Sequence, residues 1–296
     1  MINRAKLVCI GFIQIISLAV LAEEIPFHFA DGITLDLSYV KSSVQSKNWY
    51  VFLTGSTCKF HRADEFSRVL LSQDDELAFN YLIVNKVGTV AKSWPNDCEK
   101  SIFNDHFLRA ERIERVIEVL KQFVPPDAEI ILVGGSEGAY LAPEVAFNMN
   151  DSRIKAVIML SGGTRNWFEE ESARSLSNKE FLDKNILGNP DPKQFFLGWS
   201  YLTWNSFREL NTLQALKNLT IPVQMINGDM DHSVWMPGVL EDAYQLQLTN
   251  PNFKFHLLRG VGHGLGCVDK TICDSGANYS VVKSLRQNFV KKVLIR

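Results

Sequence analysis

Short continuous apolar runs alternate with stretches of helical periodicity along most of this chain. Residues 48–53, 79–85 and 129–133 are largely apolar runs of strand length, and 154–160, 222–227 and 253–258 also read as strands. Runs of this kind are expected of strands covered on both faces. Residues 27–30 and 33–40 read as two further strands joined by Asp31-Gly32, a hairpin turn pair. Helical periodicity marks residues 62–71, 103–123, 139–149, 239–248 and 281–293. In the second of these, Phe107, Ile113, Val116, Ile117 and Leu120 form one stripe, and Pro125-Pro126 ends it. Strands alternating with helices predict an α/β chain, with a mostly parallel twisted sheet of about eight strands flanked by helices. The opening hairpin is antiparallel and fits an edge. Residues 164–220 carry no clear strand and are rich in Trp, Phe, Asn and Pro, which predicts a small helical cap inserted into the sheet domain.

The N-terminus changes the picture of where the chain works. Arg4 and Lys6 precede an apolar run from Leu7 to Ala22, and Glu23-Glu24 follows it. This reads as a secretory signal peptide over residues 1–22, with Val20 and Ala22 at the recognition positions. The competing reading is a retained anchor. The run is short against the roughly 20 residues of a span, and it holds Gln14 and Ser17. Removal is therefore expected, leaving one domain, residues 23–296, that is exported to a periplasm or secreted, with no stable membrane span. The full chain has a net charge of −2 and no basic patch or charge run, so nucleic acid is not an expected partner.

Cysteines Cys58, Cys98, Cys267 and Cys273 would remain. An even number in an exported chain suggests two disulfides, with three possible pairings. The short spacing favours Cys267 with Cys273 as a local clamp, leaving Cys58 with Cys98; four free buried thiols are the alternative. No C-x-x-C or H-x-x-x-H spacing occurs, so neither a metal site nor a cofactor is expected. The glycines do not supply a nucleotide site either. Ser136 occupies the second glycine position of a dinucleotide fingerprint, and no phosphate-loop G-K-[ST] is present.

The candidate chemistry begins at Gly134-Gly135-Ser136-Glu137-Gly138, between the run at 129–133 and the helical stretch from 139. Strand, G-x-S-x-G, helix is the pattern of a nucleophile elbow, a turn so tight that glycines must flank the serine. Serine needs an adjacent base, and the base an orienting acid. Gly228-Asp229-Met230-Asp231 follows the run ending at 227, and Gly260-Val261-Gly262-His263-Gly264 follows the run ending at 258. Both lie at carboxyl ends of expected strands, where open α/β sheets build their sites. His28 and His256 fall inside expected strands, His61 and His106 near helix starts, and His232 beside the acid.

With Leu53-Thr54-Gly55-Ser56 after an early strand, these four motifs resemble the α/β-hydrolase family over nearly the whole of residues 23–296. The resemblance implies Ser136 as nucleophile, His263 as general base and Asp231 as orienting acid, with Asp229 its rival. It also implies an oxyanion hole made by the backbone N–H groups of Glu137 and Ser56, or Thr57 in place of Ser56. The Glu137 side chain needs no more than a helix N-terminus to favour it. The family often carries His-Gly where this chain has Thr54-Gly55. Trp167, Trp199 and Trp204 in the insert are candidates for a substrate-pocket wall, or simply pack the insert onto the sheet. The implied activity is that of a serine hydrolase acting on a carboxylic ester or related acyl bond of a small-molecule or peptide substrate. A peptidase, amidase or thioesterase and a non-catalytic binding module are the alternatives. The elbow also resembles those of prolyl-oligopeptidase-like peptidases, though the chain is too short for their large extra domain.

Overall fold

A computed structural model describes residues 22–64, 79–92, 96–273 and 275–294. The expected signal peptide, apart from Ala22, lies outside the described residues, as does the helix expected at 62–71 from residue 65 onward. In chain order the strands are β1 (Glu23–His28), β2 (Thr34–Val40), β3 (Asn48–Leu53), β4 (Asn80–Val84), β5 (Glu129–Gly135), β6 (Ile154–Leu160), β7 (Phe195–Phe196), β8 (Trp199–Ser200), β9 (Val223–Gly228) and β10 (Phe253–Leu258). The described helices are α1 (Lys100–His106), α2 (Arg109–Gln122), α3 (Glu137–Met149), α4 (Trp167–Arg174), α5 (Leu176–Phe181), α6 (Tyr201–Phe207), α7 (Thr212–Asn218), α8 (Met236–Thr249) and α9 (Ser275–Leu294).

Eight strands form one sheet in the order β1-β2-β4-β3-β5-β6-β9-β10. The opening hairpin is antiparallel and lies at the edge, turning through Gly32 at φ 85°. β2 also runs antiparallel to β4, and every later pairing is parallel. The apolar runs are covered on both faces because their alternate residues enter different cores. Trp49, Val51 and Leu53 of β3 join Ile130 and Leu132 of β5 against α2, α3 and α8. Tyr50 and Phe52 join Ile131 and Val133 in a second core that includes Val282 and Val290 of α9.

The helix expected over 103–123 is two helices. Phe107 leaves the helical conformation at φ −82°, ψ 66°, and Leu108 is extended. The Phe107 ring packs between Phe103, Trp199 and Phe207, and the Arg109 N–H that opens α2 donates to Ser206 Oγ at 2.6 Å. Contacts from the insert thus override a local pattern that favours one helix.

Between β6 and β9 the chain builds α4, α5, a π-turn at Leu182–Ile186, the short β7–β8 hairpin, α6 and α7. Phe168, Leu182, Ile186, Tyr201 and Trp204 form a small core of their own. Phe207, Leu210, Leu216 and Leu219 join the main core instead. Both disulfides expected from spacing form, Cys58–Cys98 with Cα atoms 5.5 Å apart and Cys267–Cys273 at 5.8 Å. Among the described residues no helix is long and apolar enough to cross a membrane.

Candidate active site

Ser136 sits at the carboxyl end of β5, in the first position before α3, at φ 54° and ψ −119°. A non-glycine residue held there stores about 1–3 kcal/mol of backbone strain. The flanking glycines are compulsory. A Cβ on Gly134 would lie 2.2 Å from the carbonyl oxygen of Gly138, and one on Gly138 would lie 2.1 Å from that of Leu53. The turn is tied to the neighbouring strand by the Ser136 N–H, which donates to the Leu160 carbonyl at 2.9 Å.

His263 and Asp231 come to Ser136 from two loops that touch each other. A Cβ on Gly228 would lie 2.0 Å from the Val261 carbonyl oxygen, so the chain after β9 runs directly against the chain after β10. The Met230 N–H donates to that same carbonyl at 3.0 Å. His263 Nε2 lies 2.8 Å from Ser136 Oγ, and His263 Nδ1 lies 3.0 and 2.9 Å from the two carboxylate oxygens of Asp231. Asp231 is 3% exposed, and its Oδ1 also accepts the N–H groups of Ser233 and Val234 at 2.9 and 3.2 Å. Asp229 points elsewhere: its Oδ1 accepts the Gly260 N–H at 2.7 Å and braces the start of the histidine loop. Cys267–Cys273 closes that loop just beyond His263.

On the other side of Ser136 the loop after β3 approaches closely. A Cβ on Gly55 would lie 3.0 Å from Ser136 Cβ, and Ser56 and Thr57 line the same cavity as Ser136 and Glu137. Charged side chains lie underneath, among them Arg112 and Lys86, which the sequence pattern did not single out. The Glu137 carboxylate is buried and pairs with Arg112 of α2 at 2.9 Å, so its side chain does more than suit a helix terminus. Burial raises its carboxyl above the ordinary range, opposed by Arg112 and then Lys86. Arg112 also reaches the Thr54 carbonyl at 3.4 Å. Lys86, two residues past β4 and 2% exposed, donates to Thr54 Oγ1 at 2.8 Å and to the Gly55 carbonyl at 2.7 Å. Burial, with the Arg112 charge adding to it, pulls its ammonium down to about 7.

Two cavities meet at Ser136 and His263. One, of about 410 Å³, is walled largely by Phe52, Leu160, Leu265, Tyr279 and Val282. The other, of about 560 Å³, lies under the inserted segment and is walled by Trp167, Trp199, Trp204 and Tyr140 with Glu170, Glu171 and Arg174. The three tryptophans line this cavity, and they also pack. Trp167 stacks on Phe207 at 4.1 Å, and Trp204 Nε1 donates to the Phe196 carbonyl.

His61 lines both cavities, although its sequence position resembles a helix start. Burial, then Lys86 and Lys59, holds its imidazole down at about 4. Glu170 is 5% exposed and accepts the Tyr140 O–H on both oxygens at 2.9 Å. Burial pushes its carboxyl up to about 7. A hint of this pair exists in Gly162-Gly163, since a Cβ on Gly163 would strike both Glu170 and Tyr140. Among the described residues no group of three or more His, Cys, Asp or Glu side chains is arranged to hold a metal ion.

Neither protein-family models nor curated protein sequences yield a match to this chain. Solved structures do. An acylaminoacyl peptidase of Pyrococcus horikoshii is similar over 92% of this chain at 18% identity and a TM-score of 0.63. The alignment takes in 41% of that peptidase, so the chain spans well under half of its length. The mouse α/β-hydrolase domain-containing protein 10 is similar over 92% of this chain and 99% of its own, at 13% identity and a TM-score of 0.63. Est1E from Butyrivibrio proteoclasticus is similar over 91% of this chain and 99% of its own, at 17% identity and a TM-score of 0.58. Strand order, the elbow after β5 and these likenesses agree: the chain has the fold of the α/β-hydrolase superfamily.

Proposed function

We propose that this chain is a serine hydrolase that cleaves a carboxylic ester or a related acyl bond through an acyl-enzyme. The observation that carries the reading is the unbroken line of hydrogen bonds from Ser136 Oγ through His263 to Asp231, with contacts of 2.8–3.0 Å, opening between two cavities. Asp231 accepts a hydrogen bond from the Nδ1 N–H and so leaves Nε2 as the basic nitrogen facing the serine. His263 takes the Ser136 proton as Oγ attacks the carbonyl carbon, and Asp231 stabilises the imidazolium that forms. The carbonyl oxygen gains the negative charge, and the N–H groups of Glu137 and Ser56 receive it. As the tetrahedral intermediate collapses, His263 protonates the leaving alkoxide. A water, deprotonated by His263, then releases the acid and frees Ser136. The two cavities would take the acyl and leaving groups, with Trp167, Trp199 and Trp204 as one wall.

The N-terminal apolar run and the two disulfides support export to an oxidising compartment. In this reading residues 1–22 are the signal peptide and the segment around 164–220 is the cap.

A fluorophosphonate probe tests the central reading. Wild-type protein should be labelled on Ser136, and Ser136→Ala should not. Labelling that persists in Ser136→Ala would remove the nucleophile assignment, and an absence of labelling in wild type would favour a binding module. A panel of p-nitrophenyl acyl esters beside aminoacyl amides then identifies the bond type.

A further inference from the structure

A fully buried lysine with no carboxylate contact is an unusual expense, since taking an ammonium out of water is unfavourable and two neutral acceptors offset it only in part. Among the described residues no ion pair forms at Lys86 Nζ; its contacts are Thr54 Oγ1 and the Gly55 carbonyl. Packing alone gives no reason for it, because a methionine fills similar space without the charge. We propose that Lys86 is a positioning residue that sets the direction of the Gly55–Ser56 peptide and thereby aims the Ser56 N–H into the oxyanion hole. The inference rests on the serine-hydrolase reading given above.

In a planar trans peptide the carbonyl and the N–H point in opposite directions. Lys86 holds the Gly55 carbonyl on the buried side of the loop, so the N–H of the same peptide, that of Ser56, faces the opposite side. Gly55 is the residue that presses on Ser136, and Ser56 lines the cavity beside Ser136 and Glu137. Without the ammonium, a glycine-containing loop is free to turn this peptide over, because glycine tolerates either orientation.

Several contacts fix Lys86 and the loop to one another. The Thr89 hydroxyl donates to the Lys86 carbonyl at 2.7 Å, and the Lys86 N–H donates to Thr89 Oγ1 at 3.3 Å. Neighbouring Asn85 holds the His61 N–H and carbonyl at 2.8 and 3.0 Å. Cys58 at the far end of the loop is tied to Cys98, which forms an isolated bridge with Thr89. The other N–H of the hole belongs to Glu137, whose side chain joins Arg112 and, through it, the Thr54 carbonyl. One buried group of Lys86, Arg112 and Glu137 therefore braces both halves of the hole.

The test is Lys86→Met, with Lys86→Gln as the variant that keeps a neutral donor. Each is measured for kcat and KM on the best ester of the panel, for inhibition by a trifluoromethyl ketone, and for inhibition by a non-reactive ether analogue of the ester. Losing an oxyanion donor lowers kcat by about 10²–10³; misaiming one should lower it by about 10–100-fold. The expected result for Lys86→Met is that fall in kcat, KM within about twofold, and a matching loss of affinity for the ketone, whose adduct carries an oxyanion. Affinity for the ether should hold, and Lys86→Gln should recover part of the loss. Folded Lys86→Met with unchanged kcat and ketone affinity overturns the assignment. So does equal loss toward ketone and ether, or failure of both variants to fold. Wild type that neither turns over esters nor reacts with fluorophosphonate would fail earlier, at the hydrolase reading itself.

Discussion

Replacing Glu170 with glutamine removes a buried ionisable group beside Asp231 while keeping an acceptor for the Tyr140 hydroxyl. Glu170 is 5% exposed, and its contacts are the Tyr140 O–H at 2.9 Å and the Trp235 N–H at 3.4 Å. Burial moves its carboxyl from the ordinary 4.5 to about 7, the Asp231 charge adding to the rise and Arg174 opposing it. At about 1.4 kcal/mol per pKa unit the displacement corresponds to about 3 kcal/mol. The folded value lies above the unfolded one, so between pH 4.5 and about 7 the folded chain keeps a proton that the unfolded chain has released. Glu170 thus contributes stability that is fully present below pH 4.5 and is lost as pH rises through about 7. Urea unfolding of wild type and Glu170→Gln at several pH values isolates the effect, because acids remote from Glu170 contribute equally to both proteins. The wild-type stability minus that of the variant should fall by about 3 kcal/mol from pH 4 to pH 8. A difference that stays flat across this range, or rises, would mean that Glu170 does not hold its proton when the chain folds.

Asp231→Asn should lower kcat by about 10³–10⁴ through loss of the correct imidazole tautomer, while Asp229→Asn, which loosens only the Gly260 contact, should cost less than about tenfold. Steady-state kinetics or fluorophosphonate labelling rates decide, and the reverse order would exchange their roles. Gly138→Ala puts a methyl 2.1 Å from the Leu53 carbonyl oxygen, so thermal denaturation should reveal a loss of more than about 3 kcal/mol or no folded protein at all. Removing the Cys58–Cys98 bridge, whose ends are 40 residues apart, should lower stability by about 4 kcal/mol, against about 2.5 kcal/mol for Cys267–Cys273, 6 apart. Denaturant midpoints of the two double-serine variants check the order.

Much of the fold is readable along the chain because β3, β5 and β6 are covered on both faces over most of their length, which leaves them apolar apart from Asn48, Glu129 and Lys155 near their starts. Gly134 and Gly138 are equally legible, since the turn around Ser136 has no room for a Cβ. The loops with Asp231 and His263 announce themselves by following strands, and the cysteine spacing favours the pairing that forms. The split between α1 and α2 is not legible, because Phe107 suits a helix stripe until Trp199 and Phe207 compete for it. Nor can Lys86, Arg112, His61 or Glu170 be picked out, nor the buried pairing of the Glu137 side chain, because each looks like an ordinary polar residue at a strand end or on a helix. What makes them matter is low-dielectric burial and partners 24 to 65 residues away in the chain. Strands, turns and chemically capable side chains are legible in the amino-acid order, since they depend on local sterics and on the period of apolar residues. Which charges end up beneath Ser136, and which way they hold its surroundings, was decided only when the sheet stacked its strands and closed distant loops over one another.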